Sequence, residues 1–208
     1  MIVAILPGYS LYLRDITQAY TQSKTQLNRD FYVRPPAELK LTGGSILRVI
    51  KPLYGVPEAG NHWYNTYHSH HIKQLRMNQS TYDPCLLYTT DNNTGFGIIG
   101  IQTDDTLILA DTTFVTQEAD QLKKAQFLSK EREQLTQSHP VKFNGGNINL
   151  REDNSIIFTQ ERQCKTLRLV TTYTSDLTST RGAIRKAVTL KDQYIAQRAR
   201  GAYIATVS

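Results

Sequence analysis

The chain reads as an α+β protein built on antiparallel sheet, and three observations carry that reading. Short apolar runs such as Gly97-Ile98-Ile99-Gly100-Ile101 and Leu107-Ile108-Leu109-Ala110 are separated by only a few polar residues, as hairpins require. Turn signals at Thr42-Gly43-Gly44, Gly145-Gly146 and Asp153-Asn154 join other short runs, so strand follows strand without a crossover. Apolar residues at helical spacing appear after Pro57 and again after Phe114.

In chain order, Met1-Ile2-Val3-Ala4-Ile5-Leu6-Pro7 is apolar but lacks a basic start and a credible cleavage site, so it reads as a strand and not a secretory signal. Leu11-Tyr12-Leu13-Arg14 is a strand that delivers Asp15. Phe31-Tyr32-Val33, stopped by Pro35-Pro36, pairs with Ile46-Leu47-Arg48-Val49-Ile50, which ends before Pro52. Pro57-Glu58 then opens a helix, since Pro suits a first turn and an acid suits the positive end of the dipole. Ala59, Trp63, Tyr67 and Leu75 mark its inward face at spacings of four and eight. Cys85-Leu86-Leu87-Tyr88 is a strand leading through Asp91-Asn92-Asn93-Thr94-Gly95 into the first hairpin. From Phe114 to about Leu135 the pattern is helical, with Leu122 and Leu128 toward the core and Lys123, Lys124, Lys130 and Arg132 outward as a basic, solvated face. Strands at Val141-Lys142-Phe143, Ile148-Asn149-Leu150 and Ile156-Ile157-Phe158 follow, then a helix capped by Thr159. Residues 171–191, rich in Thr, Ser, Lys and Arg, read as a linker before a last helix from Asp192 to Val207.

A chain of 208 residues suffices for one core or two small lobes sharing a sheet. No window approaches the roughly 20 apolar residues of a membrane span, so the chain is expected to be soluble and neither secreted nor membrane-bound. Cys85 and Cys164 stand 79 positions apart without a CxxC partner, which argues against a disulfide framework and a thiolate zinc site and fits an intracellular, reducing compartment. A net charge of +6 and a pI near 9.3 leave two readings open, an anionic partner such as nucleic acid or a mildly basic protein with none.

Asp104 and Asp105 break the first hairpin and therefore land at a sheet end. Two carboxylates about 4 Å apart repel by roughly 4 kcal/mol at an effective dielectric near 20, so a fold that forces them together calls for cations, divalent metal above all. Paired acids in a turn are also ordinary, and only a third carboxylate separates the two readings. Asp15 supplies it. An Asp leaving one strand beside an Asp pair on a neighbouring hairpin is what a two-metal nucleotidyl transferase needs, and its hard oxygen donors suit Mg²⁺.

At this point the residues resemble a known family, the reverse transcriptase (RNA-directed DNA polymerase) of copia-type LTR retrotransposons. Asp15-Ile16-Thr17-Gln18-Ala19-Tyr20 resembles its first palm motif, Asp-x-x-x-Ala-aromatic, and Phe31-Tyr32-Val33-Arg34-Pro35-Pro36 its I-Y-M-x-x-P strand. Lys51-Pro52-Leu53-Tyr54-Gly55-Val56-Pro57-Glu58-Ala59 with Trp63 is similar to L-x-K-A-L-Y-G-L-K-Q-A-P-R-x-W, and Asp83-Pro84-Cys85-Leu86-Leu87-Tyr88 to D-x-C-L-Y. Gln102-Thr103-Asp104-Asp105 stands where the family writes Tyr-Val-Asp-Asp. Lys142-Phe143-Asn144-Gly145-Gly146, Phe158-Thr159-Gln160 and Arg200-Gly201-Ala202-Tyr203-Ile204-Ala205 fall near F-L-G, L-S-Q and I-G-A-L-M-Y. The resemblance runs over residues 11–206 and lies in the order of the motifs.

It implies a right-hand polymerase palm with partial fingers over residues 1–170, and a linker with the start of the thumb or connection over 171–208. It implies catalysis by Asp15, Asp104 and Asp105, with Asp15, Asp104 and the Ile16 carbonyl holding two Mg²⁺ ions for which Mn²⁺ could substitute. Tyr20 would be the steric gate against a 2′-hydroxyl, and Gly55 and Glu58 would lie beside the incoming nucleotide. Gln102, Thr103, Lys51 and Arg34 would face nucleic acid. The partners implied are an RNA or DNA template, a primer, deoxynucleotide triphosphates and other parts of a retrotransposon polyprotein, with no membrane, in a cytoplasmic particle or the nucleus.

The sequence departs from the family at Glu58, where the family has Gln, and at Gln102 and Thr103. Only 14 residues precede Asp15, where the family places cationic finger strands, so the expectation is a chain truncated at its N-terminus and without RNase H. Arg14, Arg34 and Lys51 are the cations available in their place. An inactive relic that at most binds nucleic acid, and an unrelated metal-dependent phosphotransferase, remain alternatives. His62, His68, His70 and His71 could form a zinc site, but are expected as solvated helix residues, and Trp63, Tyr64 and Tyr67 as core rather than base-stacking aromatics. Cys85 reads as a small buried apolar residue.

Overall fold

The computed structural model describes residues 3–4, 8–170 and 189–207. Among these, one mixed core forms on each face of a six-stranded antiparallel sheet. Its strands are β2 (Ser10–Asp15), β5 (Asn78–Gln79), β6 (Leu86–Tyr88), β7 (Gly97–Gln102), β8 (Asp105–Ala110) and β9 (Glu133–Gln134), in the order β5-β6-β7-β8-β2-β9. A four-stranded sheet, β1 (Val3–Ala4), β12 (Ser155–Thr159), β11 (Gly146–Leu150) and β10 (Val141–Phe143), runs in that order, and β3 (Phe31–Val33) with β4 (Leu47–Val49) forms a separate antiparallel ribbon.

Strict alternation along β2 and β8 decides which face meets which layer. Tyr12, Thr106, Ile108 and Ala110 point to helices α1 (Ala59–Gln74) and α2 (Thr112–Lys124), where Trp63, Tyr67, Ile99, Phe114, Leu122 and Phe127 complete the larger core. Leu11, Leu13, Leu107 and Leu109 point the other way, onto Val141 and Ile148 of the four-stranded sheet. Trp63 and Tyr67, one helical turn apart, stack with ring centroids 4.9 Å apart, and their edges meet Phe127. The antiparallel, helix-backed α+β architecture expected from the sequence is therefore present, as are both hairpin groups, the β3–β4 pair and the helix after Pro57.

Some expectations are corrected. The helix beginning near Phe114 ends at Lys124, not Leu135. Gln126 adopts a left-handed φ of 59° and the Phe127 N–H donates back to the Leu122 carbonyl, a helix-ending turn that usually uses glycine and so left no signal. Leu128, expected in the core, is 63% exposed, while Phe127 and Leu135 are buried instead. The basic face is thereby divided: Lys130 returns to β2, and Arg132 turns inward over the Tyr12 ring toward Glu118. Thr159 closes β12 instead of capping a helix, and α3 (Glu161–Cys164) is a single turn. His62, His70 and His71 are buried, not solvated, because α1 is covered on their side by the segments around Thr25 and Phe127. Trp63 and Tyr67 are core residues as expected, and Cys85 packs partly buried at the core margin. α4 (Leu190–Val207) lies beside the segment after α3, where Gln197 Oε1 accepts from the Arg168 N–H at 2.8 Å. Most of the expected linker, residues 171–188, lies outside the described residues.

Candidate active site

β2 ends and β8 begins at the same edge, so Asp15 and Asp105 are direct partners across the two strands. The Ile16 N–H donates to the Asp104 carbonyl at 2.8 Å, extending the β2–β8 pair into Thr103-Asp104, the two-residue turn that joins β7 to β8. The three aspartates expected to act together are thus brought to one end of the central sheet. Asp15 and Asp105 share the face of Leu11 and Leu13, away from α1 and α2. Ile16 itself is buried beneath the turn.

Crowded carboxylates are visible in the electrostatics. Burial, and then the charges of Asp104 and Asp15, push the Asp105 carboxyl up to about 6, against the opposing pull of Lys130. Lys130 enters from the segment after α2. Its N–H donates to the Asp15 carbonyl at 2.9 Å, and its Nζ lies 3.0 Å from Asp15 Oδ2. That hydrogen bond and the Asp15 charge raise the Lys130 ammonium above its ordinary range. Among the described residues no group of three or more His, Cys, Asp and Glu side chains is arranged to hold a metal ion, and the Asp15 carboxylate is engaged by Lys130. In kind, the donor set of carboxylate oxygens and the excess negative charge at Asp105 fit a hard divalent cation.

Tyr20 and Tyr54 meet beside the carboxylates. Their ring centroids are 4.6 Å apart, and burial, then Asp104, raise the Tyr54 phenol, with Tyr20 and Asp15 adding to it. Tyr20 sits in a short turn of helix, Ala19–Gln22, directly after the strand that ends in Asp15. Gly55 takes a φ of 94° that side chains rarely adopt, with open space where a Cβ would stand. Glu58 does not cap its own helix with its side chain. Its Oε1 accepts from the Asn28 N–H at 2.8 Å and its Oε2 lies 3.5 Å from Arg29 Nε. Burial opposes the charge, yet the Asn28 and Arg29 contacts hold the Glu58 carboxyl below the usual range.

Of the residues expected to face nucleic acid, Gln102, paired with Asp105, and Thr103, beside Asp104, join the aspartates, whereas Arg34 and Lys51 do not. Gln102 and Thr103 are exposed at the turn. Arg34 follows β3 and Lys51 lies beyond β4, so antiparallel pairing leaves them at opposite ends of the ribbon. Arg14 is no substitute for a finger cation. It is buried, with Nε and Nη2 on the two Glu118 oxygens at 2.7 and 2.5 Å. Sequence reasoning missed Glu118, because a charged residue inside an amphipathic helix normally reads as solvent-facing, and missed Lys130 as a partner of Asp15 because it had been placed on a helix.

No protein-family model matches this chain. Over 77 residues, 37% of its length, it is 32% identical to the transposon Ty1-BL Gag-Pol polyprotein of Saccharomyces cerevisiae. The same extent and identity relate it to the truncated transposon Ty1-A and transposon Ty1-DR5 Gag-Pol polyproteins of that yeast. This chain is similar to retrotransposon Gag-Pol polyproteins. The match spans only 4% of the Ty1-BL polyprotein and 6% of the truncated Ty1-A form. No helix among the described residues is long and apolar enough to cross a membrane.

Proposed function

We propose that this chain is the reverse transcriptase palm of a copia-type retrotransposon polyprotein, an RNA-directed DNA polymerase that joins deoxynucleotides to a primer on an RNA or DNA template, inside the cell. The observation that carries the reading is the pairing of Asp15 with Asp105, with Asp104 adjoining, at the end of a helix-backed antiparallel sheet. Similarity to the Ty1 polyproteins supports the retroelement origin.

In this reading Asp15, Asp104 and the Ile16 carbonyl would hold two Mg²⁺ ions, or Mn²⁺ in their place, once Lys130 releases Asp15, and Asp105 stands beside them. The ions, when bound, lower the charge on the transferring phosphate and favour the ionised primer 3′-hydroxyl. Tyr20, braced by Tyr54, excludes the 2′-hydroxyl of a ribonucleotide by contact. The open backbone at Gly55 admits the nascent base pair, with Glu58 drawn aside by Asn28 and Arg29. Primer extension by the chain in Mg²⁺, with Asp104→Asn and Asp15→Asn as controls, is the test. Extension lost in both variants supports the assignment, and equal product from all three proteins ends it.

A second reading is favoured by one contact, the ammonium of Lys130 on Asp15. A chain in which that ion pair has taken over the acid would be a relic that only binds nucleic acid. It predicts no extension under any metal, together with binding that weakens steeply as salt rises.

A further inference from the structure

Between α1, the end of α2 and the segment after the Ala19–Gln22 turn lies a cavity of about 440 Å³, within the range of small-ligand pockets. Lys24, Lys73 and Lys124, one from each of those elements, line it together with His70, Thr66 and Ser69. No carboxylate is among its lining residues, and among the described residues none of these lysines forms an ion pair.

Helix dipoles account for part of this, since Lys73 and Lys124 occupy the last turns of α1 and α2, where cations are favoured. They do not account for Lys24, which arrives on a third segment, held by its N–H on Thr66 Oγ1 at 3.0 Å, with its ammonium 5.1 Å from the centroid of the Phe127 ring. Nor do they account for His70. Its ring is buried against Phe127, and among the described residues its Nε2 has no hydrogen-bond partner, a state few buried polar atoms keep in folded proteins. Burial first, then the nearby Lys24 charge, bring His70 down to about 4, so it is neutral at physiological pH and adds no charge of its own. Three like charges around one concavity repel each other, and an anion with several acceptor oxygens relieves them all at once.

We propose that this cavity is a phosphate site, in which Lys24, Lys73 and Lys124 receive a phosphoryl group of a nucleotide or a nucleic-acid strand, with His70 in the wall behind them. It opens on the helix-covered side of the central sheet, while Asp15 and Asp105 occupy the other face, so it stands whether or not the chain polymerises DNA.

The test is calorimetric titration of the full chain with inorganic phosphate at ionic strength held constant with sodium chloride. Saturable binding is expected, weakened about tenfold by each of Lys24→Gln, Lys73→Gln and Lys124→Gln. Lys123→Gln, exposed on α2 but outside the cavity lining, leaves the affinity unchanged. The His70 ring resonances of the unaltered chain shift as phosphate is added. Absence of saturable binding, or an equal loss in Lys123→Gln, overturns the proposal. Displacement of phosphate by a short oligothymidylate identifies a strand as the ligand, and displacement by deoxyadenosine monophosphate alone identifies a nucleotide. If neither displaces it, the assignment to nucleotide or nucleic acid fails.

Discussion

Trp63 Nε1 donates to the Thr103 carbonyl at 2.6 Å, so the inner face of α1 holds the turn that presents Asp104. The indole is almost wholly buried and stacked on Tyr67, whose hydroxyl in turn shares a hydrogen bond of 3.0 Å with Thr106 on β8. Helix and hairpin are therefore fixed to one another on both sides of the aspartate pair.

Trp63→Phe keeps most of the apolar volume and removes the donor, leaving the Thr103 carbonyl without that partner. A loss of about 1 kcal/mol in urea unfolding is expected, the usual scale of one hydrogen bond. If the chain polymerises DNA, the rate falls further than stability does, because the turn carrying Asp104 is no longer held. A variant with full activity would separate this bond from the site.

Thr103 itself adopts a left-handed φ of 55°, which crowds a β-branched side chain. Asn tolerates that conformation and leaves the carbonyl that Trp63 uses in place. Thr103→Asn is expected to raise stability by about 0.5–1 kcal/mol, read as a higher melting temperature. A lower melting temperature would show that the Thr103 side chain has a stabilising contact outweighing its backbone strain.

The strands, both hairpin groups and the inward face of α1 were legible because each depends on local alternation or helical spacing. So were Asp15, Asp104 and Asp105, which the backbone register alone brings to one edge. What the sequence concealed depends on conformations that its residues do not advertise. Gln126 ends α2 in a conformation normally marked by glycine, and moving that boundary brings Lys130, still exposed, onto Asp15 and turns Arg132 inward toward Glu118. Charge patterning likewise could not reveal that Glu118 and Arg14 face each other in the core, since solvated helix faces carry the same residues. Arg34 and Lys51 were joined only by resemblance, and no contact in the described residues links them to the aspartates.

Asp105 makes stability fall with pH in a defined window. The folded chain keeps the Asp105 proton up to about pH 6, whereas an unfolded chain releases it near the ordinary value of 3.8. Between about pH 4 and pH 6 the unfolded state binds fewer protons, so this group's contribution to stability declines as pH rises and stays lost above the window. Asp105→Asn removes the titration. Its melting temperature relative to the parent chain is expected to climb across that interval and then level off. A constant difference from pH 4 to pH 7 would mean that the carboxyl is not perturbed.

The Arg14 and Glu118 side chains form a buried, two-point ion pair beneath Asp15, with Ser129 Oγ accepting from Arg14 Nη1 at 3.4 Å and Arg132 Nη1 3.7 Å from Glu118. Burial raises the Glu118 carboxyl, and the Arg14 hydrogen bonds and charge oppose that rise, which makes its ionised form dependent on the guanidinium. Arg14→Met leaves the unexposed Glu118 carboxylate to Arg132, 3.7 Å away, without its two-point partner. A destabilisation of about 3 kcal/mol is expected, the lower end of the scale for breaking a buried pair, because one cation remains nearby. The double variant Arg14→Met, Glu118→Leu removes both charges and keeps the volume, and Arg132 retains the Val115 carbonyl at 3.0 Å and the Tyr12 ring. Most of the lost stability should therefore return. Urea unfolding followed by Trp63 fluorescence measures all three proteins, and a double variant no more stable than Arg14→Met would show that the pair contributes packing that apolar side chains cannot replace.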